Sequence, residues 1–418
     1  MNTCIIVDGY RFSKDYIFYL NQKNISCIHV QSSKSVIADL ARSSTYDPLD
    51  YVVNFIYDGN FCELIEALKL FNPVAVIPAM ESGVILADEL SNALNLKSNI
   101  YSLSQARRNK FEMIEALKNA GVSCMKYTNA ESSKEAIAWI DEKTHYPVVI
   151  KPLESAGTEG VYICETEAAL KNHFKKIIHH NNCFGIVNQS VLVQEFLQGT
   201  EYMINSVSLN GNHYFTDIWR CHKRYIENHG MIYDREELIS SDGLIQNQIK
   251  LYLKEVLNAL GFQYGAAHAE VMLTEKGPIL IEVGARVGGN VNCKSHAEFL
   301  GLNQLELNVD AYVDEKNYFK KTKYAYALLK NAMTILLSTE QEGVIESMPI
   351  LEKIKSCQSL FWYRLLVKPG DLIKPTRDLF SSPGKVILMN ENIDLIFQEY
   401  MLLMDAMKEA FVLSAEGV

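Results

Sequence analysis

Residues 268–290, HAEVMLTEKGPILIEVGARVGGN, constrain the fold more than any other stretch of the chain. Ala269, Val271 and Leu273, then Ile279, Ile281 and Val283, fall on one face, with His268, Glu270, Met272, Leu280 and Glu282 on the other. That period of two, broken by a turn signal, predicts a half-buried β-hairpin. A three-residue turn over Glu275, Lys276 and Gly277, with Gly277 left-handed, pairs Thr274 with Pro278 and sets Glu270 directly opposite Glu282. Like charges opposite one another across a ladder repel, so this register needs a proton or a cation between the carboxylates. Mg2+ suits the position, because it takes oxygen ligands and is commonly held by one or two carboxylates plus substrate phosphates. A two-residue turn changes the register and makes the segment a surface hairpin with two solvated glutamates. Downstream, Arg286 is an always-charged planar donor fork, and Gly288-Gly289 lets backbone approach a ligand closely. His268-Ala-Glu270 also matches the first half of a zinc deaminase signature, but no Pro-Cys-x-x-Cys follows.

At 418 residues the chain is too long for one ordinary core, which predicts two or three domains. A formal net charge of -10 disfavours a general nucleic-acid binder. The opening MNTCIIVDGY lacks a charged leader, and no apolar run is long enough to span a bilayer, so the expected location is the cytoplasm with no membrane partner. Nine cysteines, an odd number without a Cys-x-x-Cys pair, argue against a disulfide framework and a structural zinc site, and read as packed thiols.

In chain order, strand-like runs at residues 4–7, 25–30, 51–55 and 74–77 alternate with helical periodicity at 61–70 and 84–94, the pattern of a parallel α/β domain. No Gly-x-Gly-x-x-Gly follows the first strand, which leaves dinucleotide binding unsupported. The fourth strand ends at Glu81-Ser82-Gly83, before a helix. Ligands of open α/β sheets bind beyond strand carboxyl ends, so Glu81 and Ser82 are candidate substrate contacts, with helix capping as the structural alternative. A helix is expected over residues 104–120, with Arg107, Arg108 and Lys110 near its start, where cations oppose the helix dipole. An anion nearby or a solvated basic face explains them equally.

A buried strand ends in Lys151 and leads into Ser155-Ala156-Gly157-Thr158-Glu159-Gly160-Val161. Such a loop can aim N–H groups at phosphate oxygens while a lysine supplies a point charge, although an ordinary β-turn has the same composition. Gln194-Glu195-Phe196-Leu197 ends another strand and can connect two lobes, with Glu201 just beyond it. Residues 217–225, which include Arg220, His222, Lys223 and Arg224, read as a basic loop, functional or simply solvated. Helices are expected at 244–260, 297–312 and 393–411, and a strand at 385–389. The last hundred residues carry no recognisable chemical motif.

Taken in order, Arg108-Asn-Lys110-Phe-Glu-Met, Val149-Ile-Lys151-Pro with the glycine loop, Gln194-Glu-Phe-Leu with Gly199-Thr-Glu201, and His268-Ala-Glu270 with Glu282-Val-Gly-Ala-Arg286-Val-Gly-Gly resemble the ATP-grasp carboxylate–amine ligases. Glu81-Ser-Gly and the last of these motifs look most like the bacterial L-amino-acid ligases that make dipeptides. The resemblance implies a mixed α/β fold with a pre-ATP-grasp domain over residues 1–103, a lid lobe over 104–198 and a metal-bearing lobe with an extension over 199–418. It implies ATP with Mg2+, or Mn2+, as cofactors, small-molecule substrates and a homodimer.

The implied roles follow the motifs. Lys110 and Lys151 would contact phosphates, while Ser155, Ala156, Gly157, Gly160 and Val161 would close over them as a lid. Gln194, Glu195, Phe196 and Leu197 would receive adenine, and Glu201 the ribose. Glu270 and Glu282 would hold the metal. Arg286 and the N–H groups near Gly288 and Gly289 would stabilise the transferring phosphoryl group and the later oxyanion, making them the catalytic set. Glu81, Ser82, Arg220, Lys223, His268 and Asn290 would face the substrate. Many members carry asparagine two positions after the second metal glutamate, where this chain has Gly284. The implied chemistry is conversion of a carboxylate to an acyl phosphate by ATP, then displacement of phosphate by an amine. A ligase for other acids and amines, or an ATP-binding protein without turnover, are the competing readings.

Overall fold

The computed structural model describes residues 2–34, 44–155, 157, 159–226, 230–377, 379 and 381–414. Four parallel strands, β1 (Thr3–Val7), β2 (Ser26–Gln31), β3 (Asn54–Ile56) and β4 (Pro73–Pro78), form the first sheet in the order β3-β2-β1-β4. Their near-continuous apolar runs follow from burial on both faces. Ile5, Val7 and Val76 pack on one side with Leu68 and Leu90 of the covering helices Phe61–Lys69 and Val84–Ala93. Ile6, Ala75 and Ile77 pack on the other with Tyr16, and with Val291, Leu305 and Val309 from far along the chain. This shared core fixes the first sheet against the segment from Val287 to Tyr312.

A second, antiparallel sheet contains β5 (Tyr127–Ala130), β6 (Val148–Pro152), β7 (Tyr162–Cys164) and β8 (Val191–Glu195), in the order β5-β8-β6-β7. The helices Ser133–Lys143 and Glu167–Ile177 cover it with Ile140, Leu170 and Phe174.

The remaining chain supplies β9 (Thr200–Leu209), β10 (Asn212–Ile226), β11 (Gly230–Ile239), β12 (Tyr264–Thr274), β13 (Gly277–Gly284), β14 (Asn331–Leu337), β15 (Gly343–Ser347), β16 (Leu360–Leu365), β17 (Leu372–Ile373), β18 (Gly384–Asn390) and β19 (Val412–Leu413). Eight of them make one antiparallel sheet, β13-β12-β9-β10-β11-β14-β18-β16, and β17-β15-β19 form a small sheet beside it. The C-terminal strands therefore extend the sheet that carries the central hairpin.

Several expectations need correction. The hairpin turn is two residues, because Thr274 pairs with Gly277, not with Pro278. Glu270 nevertheless faces Glu282, since the partner of Val271 is Leu280 and the ladder steps over Ile281. This β-bulge restores the register that the shorter turn would have lost. It also turns Leu280 into the core beside Val271 and Val283, the face opposite to the one expected.

The helix expected at 104–120 begins at Lys110, after Asn109 caps it by accepting from the N–H groups of Phe111 and Glu112. The helix expected at 297–312 is two helices, Cys293–Leu300 and Gln304–Val313, broken where Gly301 turns left-handed at φ +74° and Asn303 caps the next. Residues 217–225 are no loop but the interior of β10. No helix among the described residues is long and apolar enough to cross a membrane.

Candidate active site

Glu270 and Glu282 stand side by side at one edge of the large sheet. Burial and the charge of Glu282 push the Glu270 carboxyl well above the usual range. Burial acts on Glu282 in the same direction, but Lys110, Lys151 and Arg286 overcome it and hold that carboxyl low. The N-cap at Asn109 aims Lys110 into the site: its Nζ lies 3.2 Å from Glu282 Oε2 and donates to the carbonyl of Ser155 at 3.2 Å. Lys151, at the end of β6, is 4% exposed, and its burial pushes the ammonium down to about 8.

Two carboxylates and two lysines at one point have the chemistry to hold a metal together with a polyphosphate. Among the described residues no group of three or more His, Cys, Asp or Glu side chains could hold a metal ion. The donor set therefore fits a hard divalent cation that completes its shell with phosphate oxygens, and does not fit a structural zinc.

Gln194 pairs with Val149 and so shares a face of its sheet with Lys151. Gln194 is 3% exposed and its Nε2 is buried with no partner among the described residues, the condition of a side chain that meets a ligand. Glu195, Phe196 and Leu197 run from β8 toward β9, and Glu195 Oε1 accepts from the N–H of Lys126 at 2.8 Å. Both oxygens of Glu201 are engaged, one by Lys223 Nζ at 2.6 Å and one by Tyr233 Oη at 2.7 Å.

The glycine loop joins β6 to β7. Gly157 and Gly160 turn left-handed at φ +65° and +68°, Ser155 is buried and Val161 is exposed. Ala156 lies outside the described residues. The loop is tied to the segment after the second covering helix, because Glu159 accepts from the N–H of Cys183 at 2.8 Å and Asn182 donates to the carbonyl of Glu154 at 2.6 Å.

On the other side of the carboxylate pair, Arg286 Nε donates to Glu81 Oε2 at 3.1 Å. A Cβ at position 284 would lie 2.8 Å from that same oxygen, so Gly284 leaves the space that Glu81 fills from the first sheet. Ser82 is engaged elsewhere: its Oγ donates to the buried Asp8 at 2.5 Å.

His268, Asn205 and Asp217 form a relay across three strands. Asn205 Nδ2 donates to Asp217 Oδ1 at 2.6 Å, and Asn205 Oδ1 meets His268 Nδ1 at 2.7 Å. A carboxylate can only accept, so the amide orientation follows, and His268 Nδ1 must carry the proton. Its Nε2 keeps a lone pair 4.0 Å from Glu270. Burial, with Arg286 and Arg11 nearby, pushes the imidazole down to about 3, so it stays neutral. Asn205 Nδ2 also donates to Asn290 Oδ1 at 3.2 Å.

Gly288 plays a part other than the one expected. The Gly288 N–H is spent on Gln304 Oε1 at 2.8 Å, so it is not an oxyanion donor. A side chain there would strike the relay, since a Cβ would lie 2.5 Å from Asn205 Oδ1. The Gly289 carbonyl accepts from Arg11. Arg220 is not brought to the others. It pairs with Glu237, donating from Nε at 3.0 Å, and alternation along β10 puts both on the face opposite to Cys221 and Glu236. Asn205, Asp217, Gln304 and Arg11 were not singled out by motif, and only Asp217 bordered a stretch that composition had marked.

A family model described as an ATP-grasp domain matches residues 144–294. Dapdiamide A synthase of Enterobacter agglomerans is 32% identical over 404 residues, 94% of this chain and 93% of that protein. The chain belongs to the ATP-grasp ligases. It is an ATP-dependent carboxylate–amine ligase, with ATP among its small-molecule substrates, and the family works with divalent metal ions. Among solved structures, an L-amino acid ligase from Bacillus licheniformis superposes on this ligase with a TM-score of 0.75 at 18% identity, covering 99% of this chain and 98% of that one. An Aspergillus clavatus carboxyaminoimidazole ribonucleotide synthase complexed with ATP gives 0.69 at 14% identity, covering 98% of each. At such identities the likeness concerns the fold.

Proposed function

We propose that this ATP-grasp ligase joins two amino acids into a dipeptide, activating one as an acyl phosphate at the expense of ATP, with Mg2+ as the metal. The observation that carries the reading is the site's division by the Glu270–Glu282 pair. Lysines gather on the nucleotide side, and on the other side Glu81 and Arg286 present one negative and one positive group within 3.1 Å. An amino acid carries the complementary pair of charges. The resemblance of 32% to a dapdiamide A synthase supports amide formation in the same terms.

Phosphoryl transfer depends on positioning and charge neutralisation more than on covalent participation by protein groups. Lys110 and Lys151 bind the phosphate oxygens, and Gln194 offers its unpartnered amide to the adenine. Mg2+ held by Glu270, Glu282 and phosphate oxygens would neutralise charge on the transferring group. The glycine loop closes over the phosphates and excludes water, which would hydrolyse the acyl phosphate. Glu81 receives the ammonium of the donor amino acid, and Arg286 steadies its carboxylate oxygen as negative charge develops, an effect worth about 3 kcal/mol in comparable sites.

The amine nitrogen of the second amino acid then forms the C–N bond as the C–O bond to phosphate breaks. The departing phosphate accepts the proton the nitrogen loses. His268 Nε2, fixed by the Asn205–Asp217 relay, accepts a hydrogen bond from the amine and so holds the amine's own lone pair toward the acyl carbon. Phosphate release with ATP and Mg2+ across pairs of common amino acids, with product masses read in parallel, tests the reading. Release that needs two amino acids, with a product mass equal to their sum less water, is the expected result. Silence across every pair by folded protein that still binds ATP overturns it.

A further inference from the structure

The far edge of the large sheet repeats the hairpin arrangement with the sign of charge reversed. Arg364 on β16 pairs directly with Lys385 on β18. Two cations directly opposite one another weaken a ladder, as two anions do. Residues paired across strands share a face, and alternate residues along a strand return to it. Glu236 pairs with Thr334, and Thr334 with Ile387, two residues from Lys385. Glu236 also pairs with Cys221, and Cys221 with Glu201. The cationic pair therefore stands on the face that carries Glu201 and Glu270, not on the outer face with Arg220.

A third cation arrives from the first sheet. Arg11 donates to the carbonyl of Gly289, between the catalytic Arg286 and Asn290, and its charge is felt by Arg286 and Arg364. Lys385 lies within electrostatic reach of Arg11, Arg364 and Glu236. Lys385 thus stands among two further cations and the carboxylate of Glu236. Around them three buried polar atoms lack a partner among the described residues: Glu236 Oε2, Asn290 Nδ2 and His296 Nε2. Buried orphans of this kind mark a place that a polar ligand completes.

The ligase reaction indicates which ligand this is. The donor carboxylate is consumed beside Arg286 and the metal carboxylates. The acceptor reacts only through nitrogen, so when it is an amino acid its own carboxylate persists, one carbon away from the reacting amine, and needs a cationic anchor close to the acyl carbon. We propose that Arg11, Arg364 and Lys385 bind the α-carboxylate of the acceptor, restricting the amine substrate to free amino acids. The inference rests on the dipeptide-ligase reading.

The twenty common amino acids and their carboxamides, offered as acceptors to the wild type and to Arg364→Met, Arg364→Lys and Lys385→Met, separate the two. The wild type is expected to use the acid at least about tenfold better in kcat/KM than the matching carboxamide, the span of one charge-assisted hydrogen bond. In Arg364→Met and Lys385→Met the acceptor KM for the acid rises by about tenfold or more, the acid-over-amide preference collapses, and the KM for ATP holds. Arg364→Lys, which keeps the charge, retains most of the preference. Equal use of acid and carboxamide by the wild type, or an intact preference in both methionine variants, overturns the subsite while leaving the dipeptide reading in place.

If no acceptor releases phosphate, the dipeptide reading falls and binding decides the subsite. With Mg2+ and a non-hydrolysable ATP analogue, a melting-temperature rise caused by amino acids but not carboxamides, and lost in Arg364→Met, supports it. The absence of any acid-specific rise overturns it.

Discussion

The two edges of the eight-stranded sheet carry the same device with opposite charge. At one, Glu270 faces Glu282 across β12 and β13; at the other, Lys385 faces Arg364 across β18 and β16. The first is a hairpin whose residues are 12 apart in sequence, closed by a turn and corrected by a single bulge. The second joins residues separated by 21 positions, with β17 in between. Each edge concentrates like charge that its own ladder cannot neutralise, and in the proposed reading the two attract opposite ends of the chemistry, a metal with phosphates and an amino-acid carboxylate. What differs is how local the instructions are.

The hairpin edge is the easier one to break. Glu270→Gln removes one of the two facing carboxylates while leaving the turn and the bulge in place. Metal-dependent ATP turnover should fall by about 10^3-fold or more, as it should in Glu282→Gln, with the thermal transition retained. Phosphate release and a melting curve on both variants check this. Near-normal turnover in either would remove the metal role from this edge.

A smaller effect is expected where the first sheet meets the hairpin. Gly284→Asn places a Cβ 2.8 Å from Glu81 Oε2 and should push that carboxylate off Arg286. Amino-acid-dependent turnover should drop by about 10- to 100-fold, the span of one charged hydrogen bond, while ATP affinity holds. Unchanged turnover would show that asparagine is tolerated there and that Glu81 owes nothing to the glycine. Smaller again, Asn205→Ala uncouples His268 from Asp217 and should lower kcat about tenfold with little change in the KM for ATP. A matching rise in that KM would instead indicate a general loosening of the sheet.

These contrasts also explain what could be read from the residues alone. Lys110, Lys151, Glu270, Glu282 and Arg286 lie in short motifs whose types and spacing reflect local chemistry, so a strand, a turn and a glycine loop were enough to expose them. The two-residue turn was misjudged because a bulge is set by packing: Leu280 enters the core beside Val283, and nothing in the alternation announces that switch. Residues 217–225 looked like a charged loop because their partners are distant. Arg220 and His222 answer Glu237, while Lys223 answers Glu201, so a basic run in sequence is a two-faced strand in space. Arg11, Arg364 and Lys385 come from three elements spread over the chain, which makes their meeting a property of topology that no window of sequence contains.

The cationic edge can be probed without substrate, through stability. Burial, reinforced by Arg11 and Arg364 and partly offset by Glu236, pushes Lys385 down to about 8 from an ordinary value of 10.5. A group whose folded pKa is depressed favours folding only where it is neutral in both states, here above pH 10.5, and that favour is lost as pH falls toward 8. At neutral pH the folded protein therefore carries the full cost of holding this ammonium charged. Lys385→Met removes it and should stabilise the chain by about 1–2 kcal/mol at pH 7, allowing for the side chain's partial exposure. The gain should shrink as pH rises from 8 to 10.5. Denaturant unfolding of both proteins across that range reads the difference. A variant that is more stable yet poorer at using the acceptor would mark Lys385 as a charge retained for its ligand. A variant less stable at pH 7, or one whose advantage grows with alkalinity, would make the lysine an ordinary member of the sheet and leave Arg364 and Arg11 to hold the carboxylate without it.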